Sequence, residues 1–224
     1  MKPGRSYIFK EITAAILNGE ANEAARLVES GLKMSMSAEE ILEEALIPAT
    51  RQVAEQFQGA DFNIPDVLLA SRAIKAGLYA LKPYKRQAAR GKRIIIGTVA
   101  GDIHDIGKNL IALFLEFAGY EVIDLGVDVT ALNFVQAVKQ YKPDLLAMSA
   151  LLTTTMGEMS NVIEMLYIHR VRDSIKIIVG GGPVTKEFAV SIGADAYADT
   201  PHEAIKVVHD LLNNNKKLLD IAKP

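Results

Sequence analysis

The sequence predicts an α + α/β protein, with an N-terminal four-helix bundle followed by a flavodoxin/Rossmann-like domain built on a five-stranded parallel sheet. Three observations carry this prediction. Residues 1–86 place their apolar side chains at helical spacing only. From Arg93 onward, short β-rich apolar runs alternate five times with amphipathic helical stretches. Between the two lies Lys85–Lys92, KRQAARGK, which has no apolar pattern beyond its two alanines. The expected organisation is a helical domain over 1–86, a linker over 87–92, the α/β domain over 93–215 and a polar tail over 216–224.

In the first domain, Ile8, Ile12, Ala15 and Ile16 share one helical face, and Ala24, Ala25, Leu27, Val28 and Leu32 form a second stripe. Ser37 with Glu40 reads as a capping box ahead of Ile41, Leu42, Ala45, Leu46 and Val53. Asn63-Ile64-Pro65-Asp66 opens a fourth helix, with Pro65 in its first turn and Val67 to Leu81 continuing it. In the second domain the expected strands are Ile94–Val99, Glu121–Leu125, Asp144–Ser149, Lys176–Val179 and a short one at Ala196–Ala198. The intervening helices run through Leu110–Phe117, Ala131–Gln140, Met156–His169 and Lys186–Ser191, and Pro201–Leu212 closes the domain. The tail from Asn213 onward is expected to fray.

Half of the 224 residues are hydrophobic and 23% are charged, which suits a packed core. Twenty-five basic against 27 acidic residues leave no electrostatic footprint for nucleic acid or an anionic membrane. The absence of cysteine excludes disulfides, thiolate metal sites and cysteine nucleophiles. No basic leader and no membrane-length apolar run appears, so a cytoplasmic location is expected.

Ligands of open parallel sheets bind outside the carboxyl ends of the strands, near the topological switch point. The loops there carry Asp102-Ile103-His104-Asp105-Ile106-Gly107, then Ser149 to Thr155, then Gly180-Gly181-Gly182. His104 can hold a metal through one ring nitrogen if an acceptor fixes the other, and Asp102 stands two residues away to do so. One histidine is too few for a metal held by protein alone, so a single ligand makes sense only for a metal that arrives inside a macrocycle. Three successive glycines permit close approach of a bulky group, and Ser149, Thr153, Thr154 and Thr155 add hydroxyls to that wall. Each motif also has a plainer reading. A lone loop histidine is commonly solvated, a glycine pair serves a turn, and a hydroxyl run caps a helix.

Together, Asp102-x-His104-x-x-Gly107, Ser149-x-Leu151 and Gly180-Gly181 resemble a cobalamin-binding signature, with 41 residues between Gly107 and Ser149 and 28 between Leu151 and Gly180. The longer string GDIHDIGKN, with LIPATRQVAEQF, IPDVLLASRAIKAGL and ALLTTTM, resembles the corrinoid proteins of methyltransferase systems and the cobalamin module of methionine synthase. The resemblance spans nearly the whole chain. It implies cobalamin or a related corrinoid, in its methylcobalamin form during the cycle. His104 would ligate cobalt in place of the cofactor's own base, Asp102 would hold the other imidazole nitrogen, and Thr155 would complete a relay behind it. Asp105, Ile106 and Gly107 belong to the same loop. Ser149, Leu151 and Thr153 would line the slot for the displaced nucleotide tail, and Gly180, Gly181 and Gly182 would give the tail room. Val127 and Asp128 would touch the corrin edge. The helical domain would cap the opposite corrin face, with Phe57 and Ile64 at the two apolar cap positions and Val67 and Leu68 beside them. Ala54, Thr50 and Gly182 depart from the residues frequent in that family at those positions.

The resemblance further implies a methyl carrier that is itself a non-catalytic subunit, cycling between cobalt(I) and methyl-cobalt(III). His104 would bind in the methylated state and release in the reduced one, with protonation through Asp102 and Thr155. Its partners would be a substrate-specific methyltransferase subunit, an acceptor-side methyltransferase and a reductive activase. The alternative is a cobalamin-dependent sensor or regulatory module, which usually adds a DNA-binding helix pair that this N-terminal segment does not suggest.

Overall fold

The computed structural model describes residues 4–58, 63–84, 91–199 and 201–214. The chain divides into two compact units, Met1–Lys85 and Arg86–Pro224.

The first unit is helical. Helix α1 (Arg5–Leu17) turns through Gly19 into α2 (Ala21–Lys33). Gly19 is left-handed, φ +72°, and a Cβ there would lie 2.6 Å from Leu69 Cβ, so the turn is glycine for two separate reasons. The third helix begins with the expected capping box: Ser37 Oγ accepts from Glu40 N at 3.0 Å and the Glu40 carboxylate accepts from Ser37 N. It runs as α3 (Ala38–Ile41), a π turn over Leu42–Leu46, and α4 (Ile47–Gln58). The wider turn stands immediately before Pro48, whose missing N–H and bulky ring disfavour an α register at that point. Thr50 Oγ1 donates to Leu46 O at 2.8 Å, which satisfies a carbonyl of the distorted turn. Helix α5 (Ile64–Leu81) starts with a second capping box between Asn63 and Asp66, and Pro65 occupies its first turn. Ile12 and Ile16, Ala24 and Val28, Ile41, Leu42 and Leu46, and Ala70, Ala73, Ile74 and Leu81 fill the core between the helices.

The second unit is a parallel sheet in the order β2-β1-β3-β4-β5. Its elements are β1 (Arg93–Thr98), α6 (Ile106–Phe117), β2 (Glu121–Asp124), α7 (Ala131–Tyr141), β3 (Leu145–Ser149), α8 (Met156–Ile168), β4 (Lys176–Gly180), α9 (Lys186–Ser191), β5 (Ala196–Ala198) and α10 (Pro201–Asn214). Side chains alternate across the strands, and both faces are covered. Ile95, Leu146, Met148, Ile177 and Val179 pack against α7 and α8 through Phe134, Val138, Met159, Val162 and Leu166. Ile94, Ile96, Leu145, Ala147 and Ile178 pack against α6 and α10 through Ala112, Leu115, Val208 and Leu211. Among the described residues no helix is long and apolar enough to cross a membrane.

Several expected strand ends shift by one residue, and two of the shifts have a local reason. Val99 leaves the first strand and forms an isolated parallel bridge with Val129, because the chain is already turning toward the loop that carries His104. Asp144, expected to begin the third strand, instead brackets it: its carboxylate accepts from Lys92 Nζ at 2.8 Å and from Arg93 N at 2.9 Å. The interdomain stretch 85–90 and the tail from 215 lie outside the described residues.

Phe134 is fully buried and presses its ring against Gly97 of β1, where a Cβ would stand 2.9 Å from the ring edge. Phe134→Ala is expected to destabilise the α/β unit by about 3–5 kcal/mol, read as a lower urea midpoint by far-UV circular dichroism. An unchanged midpoint would contradict this packing.

Candidate functional site

The strand order reverses between β1 and β3, so the loops leaving these two strands diverge to opposite faces and open a crevice at their carboxyl ends. The β1–α6 loop, residues 99–105, forms one wall. The β3–α8 loop, residues 150–155, forms the other, and the β2–α7 loop, residues 125–130, flanks the first.

Asp102 organises these loops. Its side chain is fully buried. Oδ1 accepts from His104 N at 3.0 Å and from His104 Nδ1 at 2.7 Å. Oδ2 accepts from Leu151 N at 2.7 Å, Leu152 N at 3.2 Å and Thr155 Oγ1 at 3.0 Å. Burial pushes the Asp102 carboxyl up, but the hydrogen bonds from Leu151 N, His104 N, the His104 ring and Thr155 outweigh it and hold the group down at about 2. An ionised carboxylate only accepts, so Nδ1 of His104 carries hydrogen and the lone pair of a neutral ring is on Nε2. The His104 side chain is 47% exposed, and its main-chain oxygen accepts from Thr98 Oγ1 at 2.9 Å. The structure thus presents one imidazole nitrogen outward with its tautomer fixed from behind.

Thr155 stands at the start of α8 without capping it. Its hydroxyl has one proton and two acceptors in reach, Asp102 Oδ2 and Leu152 O at 2.9 Å. The sequence reading of this hydroxyl run as a helix cap is therefore replaced at Thr155 by a bond to the buried anion. Asp128, with a left-handed backbone at φ 54°, donates its N–H to Asp102 O at 3.0 Å and accepts Gly101 N on Oδ1 at 2.7 Å. Asp105 precedes α6 and accepts from Asn109 Nδ2 at 3.1 Å. Ile106 and Val127 are half-buried, Thr153 is exposed, and Ser149 ends β3 between Thr98 and Gly180 in register.

The glycines separate into two kinds. A Cβ on Gly180 would lie 2.6 Å from Ala198 O, and one on Gly181, at φ +128°, would collide with Ala150 O. Neighbouring backbone fills the space those side chains lack, so the protein itself requires both glycines. The sequence alone had given that clearance to a ligand. A Cβ on Gly182 would sit 3.1 Å from Leu151 Cδ1. On Gly107 it would meet nothing within 4 Å, so the chain's own packing gives no steric reason for glycine there.

In the helical unit, Val67 is half-buried, and Leu68 is 65% exposed and so stands off the bundle core. The side chains of Phe57 and Ile64 lie outside the described residues. The sequence reading missed Lys108, Asn109 and Asp124, a polar cluster in which the Lys108 side chain is buried and Asp124 reaches the surface, and Thr98, which anchors the His104 carbonyl. A signal existed: Lys108 shares its helical face with Ala112 and Leu115, a buried stripe in which a charge is out of place.

The donor set fits a metal brought within a macrocycle. Among the described residues no three metal-ligating side chains gather, so a bare ion would find His104 alone. Ile103, Leu151 and Leu152 are 74%, 46% and 40% exposed and give the site an apolar lip suited to a flat, largely apolar ring.

Residues 92–206 match a family model described as a B12 binding domain, and residues 8–82 match a second model of the same description. Trimethylamine corrinoid protein 2 of Methanosarcina mazei is 40% identical over 210 residues, covering 92% of this chain and 96% of that protein. The structure of the Methanosarcina barkeri monomethylamine corrinoid protein superposes with a TM-score of 0.81 at 31% identity, covering 93% of this chain and all of that one. A chain of the methanol:cobalamin methyltransferase complex from Methanosarcina barkeri gives a TM-score of 0.52 at 25% identity, covering 97% of this chain and 83% of that one.

Because Asp102 titrates lower in the fold than its ordinary value of 3.8, its ionised form stabilises the fold above about pH 4. That stabilisation, roughly 2 kcal/mol, is lost as pH falls toward about 2. Urea midpoints of the cofactor-free protein are expected to drop through this window, and Asp102→Asn is expected to flatten that part of the slope. Equal slopes in both proteins would contradict it.

Proposed function

The chain belongs to the B12-binding-domain family, and from that premise we propose that it is the corrinoid methyl carrier of a multi-component methyltransferase system, holding its cofactor with His104 as the axial ligand. The cofactor is cobalamin or a related corrinoid. When bound, it supplies a cobalt centre that accepts and releases a methyl group. One observation carries the ligand assignment. His104 Nδ1 is fixed on a buried, ionised Asp102 and leaves Nε2 facing out of the crevice, on the loop where parallel sheets bind ligands.

The chain's residues divide the work. Asp102 selects the tautomer and raises the basicity of the ring. Thr155, Leu151 N and Leu152 N keep Asp102 in place. Ser149, Thr153 and Gly182 line the side of the crevice on which the nucleotide tail would be received, and Gly107 leaves room for the ring to approach the loop. Displacement of the cofactor's own base by His104 is part of this reading.

The likeness to a methyltransferase complex supports a methyltransferase partner on the donor side, with an acceptor-side methyltransferase and a reductive activase completing the cycle. Relatives named for tri- and monomethylamine support a methylamine as the donor class. The donor pocket would belong to the partner. A cytoplasmic setting follows from that role.

Reconstituted protein is expected to retain one corrinoid. In the cobalt(II) state its electron paramagnetic resonance spectrum should show one axial nitrogen, absent in His104→Ala. Persistence of that nitrogen without His104 would overturn the assignment. Gly107→Ala separates ligand clearance from packing. It is expected to leave the cofactor-free protein as stable as wild type, or more stable by up to about 1 kcal/mol, while weakening corrinoid retention. Loss of stability with unchanged retention would assign Gly107 to the fold instead.

A further inference from the structure

We propose that Lys108 is a positioning residue for this site: its buried ammonium, paired with Asp124, clamps the β2–α7 loop to the loop that presents His104. The inference rests on the corrinoid reading above for what is positioned, and on geometry alone for the clamp.

Lys108 lies in the first turn of α6, and its side chain is 1% exposed. Nζ donates to Asp124 Oδ1 at 2.7 Å, Asp124 Oδ2 at 2.6 Å and Asn109 Oδ1 at 2.7 Å. The three donors of the ammonium thus match three acceptors. Burying a charge has a desolvation cost that an apolar residue beside Ala112 and Leu115 would avoid, so the fold alone gives little reason for lysine here.

The placement of its partners supplies the reason. Asp124 is the last residue of β2, and the same carboxylate accepts Gly126 N at 2.8 Å. Gly126, left-handed at φ 84°, returns its carbonyl to Thr98 N at 3.0 Å. Two residues later Asp128 bonds back to the His104 loop through Asp102 O and Gly101 N. On the other side Asn109 connects Lys108 to Asp105, the residue after His104. These contacts close a ring: Lys108, Asp124, Gly126, Asp128, Asp102, and back through His104 and Asp105 to Asn109. The Asp102 carboxylate holds the His104 loop against the β3–α8 loop. The Lys108 clamp holds it from the opposite side, so the loop is fixed across the whole crevice.

The test compares wild type, Lys108→Met, Asp124→Asn and the double variant. In the cofactor-free protein, hydrogen exchange is read at the amides of Gly101, Gly126 and Asp128. After reconstitution with cobalamin, corrinoid affinity and the fraction of cobalt(II) carrying an axial nitrogen are read. Lys108→Met is expected to speed exchange at all three amides, weaken corrinoid binding about 10- to 100-fold and lower the nitrogen-bearing fraction. Asp124→Asn should act in the same direction, and the double variant should be no worse than Lys108→Met, because the two act as one unit. A Lys108→Met protein that melts earlier but keeps wild-type protection at these amides and the full nitrogen signal would overturn the clamp. If Lys108→Met fails to fold, Asp124→Asn decides on the same readouts. If wild type itself lacks the axial nitrogen, the ligand reading fails, and amide exchange alone still decides whether the clamp exists.

Discussion

A buried carboxylate cannot remain ionised in an apolar crevice without donors on every side. The Asp102 side chain meets that requirement with five hydrogen bonds drawn from two loops. The order of causes matters. Burial favours the neutral acid, and the donors reverse it. Every group that supplies a donor is thereby held in place: the His104 ring, the main chain at Leu151 and Leu152, and the Thr155 hydroxyl. The orientation of the His104 imidazole is a consequence of keeping this anion charged.

The sheet makes that arrangement possible. Parallel strands deliver successive loops to one edge, and the reversal of order between β1 and β3 parts the two loops that Asp102 bridges. The glycines of β4 and its loop serve the same edge. Gly180 and Gly181 let backbone lie against backbone at Ala198 and Ala150, closing the floor behind the β3–α8 loop. On the far side, Asp128 and the Lys108–Asp124 pair hold the flanking loop. A ligand entering this crevice meets walls already ordered, which lowers the conformational cost of binding.

Much of this was legible in the sequence, and the reasons are local. Short β-rich apolar runs marked the strands, and the starts of two capped helices were visible, since Ser37 with Glu40 and Asn63 with Asp66 are short-range patterns. Asp102 and His104 stand two residues apart, so their bond is a local event too. What was not legible depends on residues distant in sequence. The amides of Leu151 and Leu152 have no side-chain signature, yet they help keep Asp102 ionised. Lys108 meets Asp124 only after α6 folds back on the sheet. The need for glycine at 181 comes from Ala150, 31 positions earlier, and the same letter at 107 has no such neighbour. The π turn before Pro48 escaped a reading based on a regular helical period.

The most direct test of the central claim is isotopic. Protein grown with 15N-labelled histidine, loaded with unlabelled cobalamin and reduced to cobalt(II), is compared by electron paramagnetic resonance with unlabelled protein. If a histidine of the chain is the axial ligand, each triplet splitting from a 14N nucleus becomes a doublet from 15N, and the nitrogen signal disappears in His104→Ala. If the triplets persist in the labelled protein, the nitrogen comes from the cofactor's own base, and the outward imidazole held by Asp102 is not the ligand.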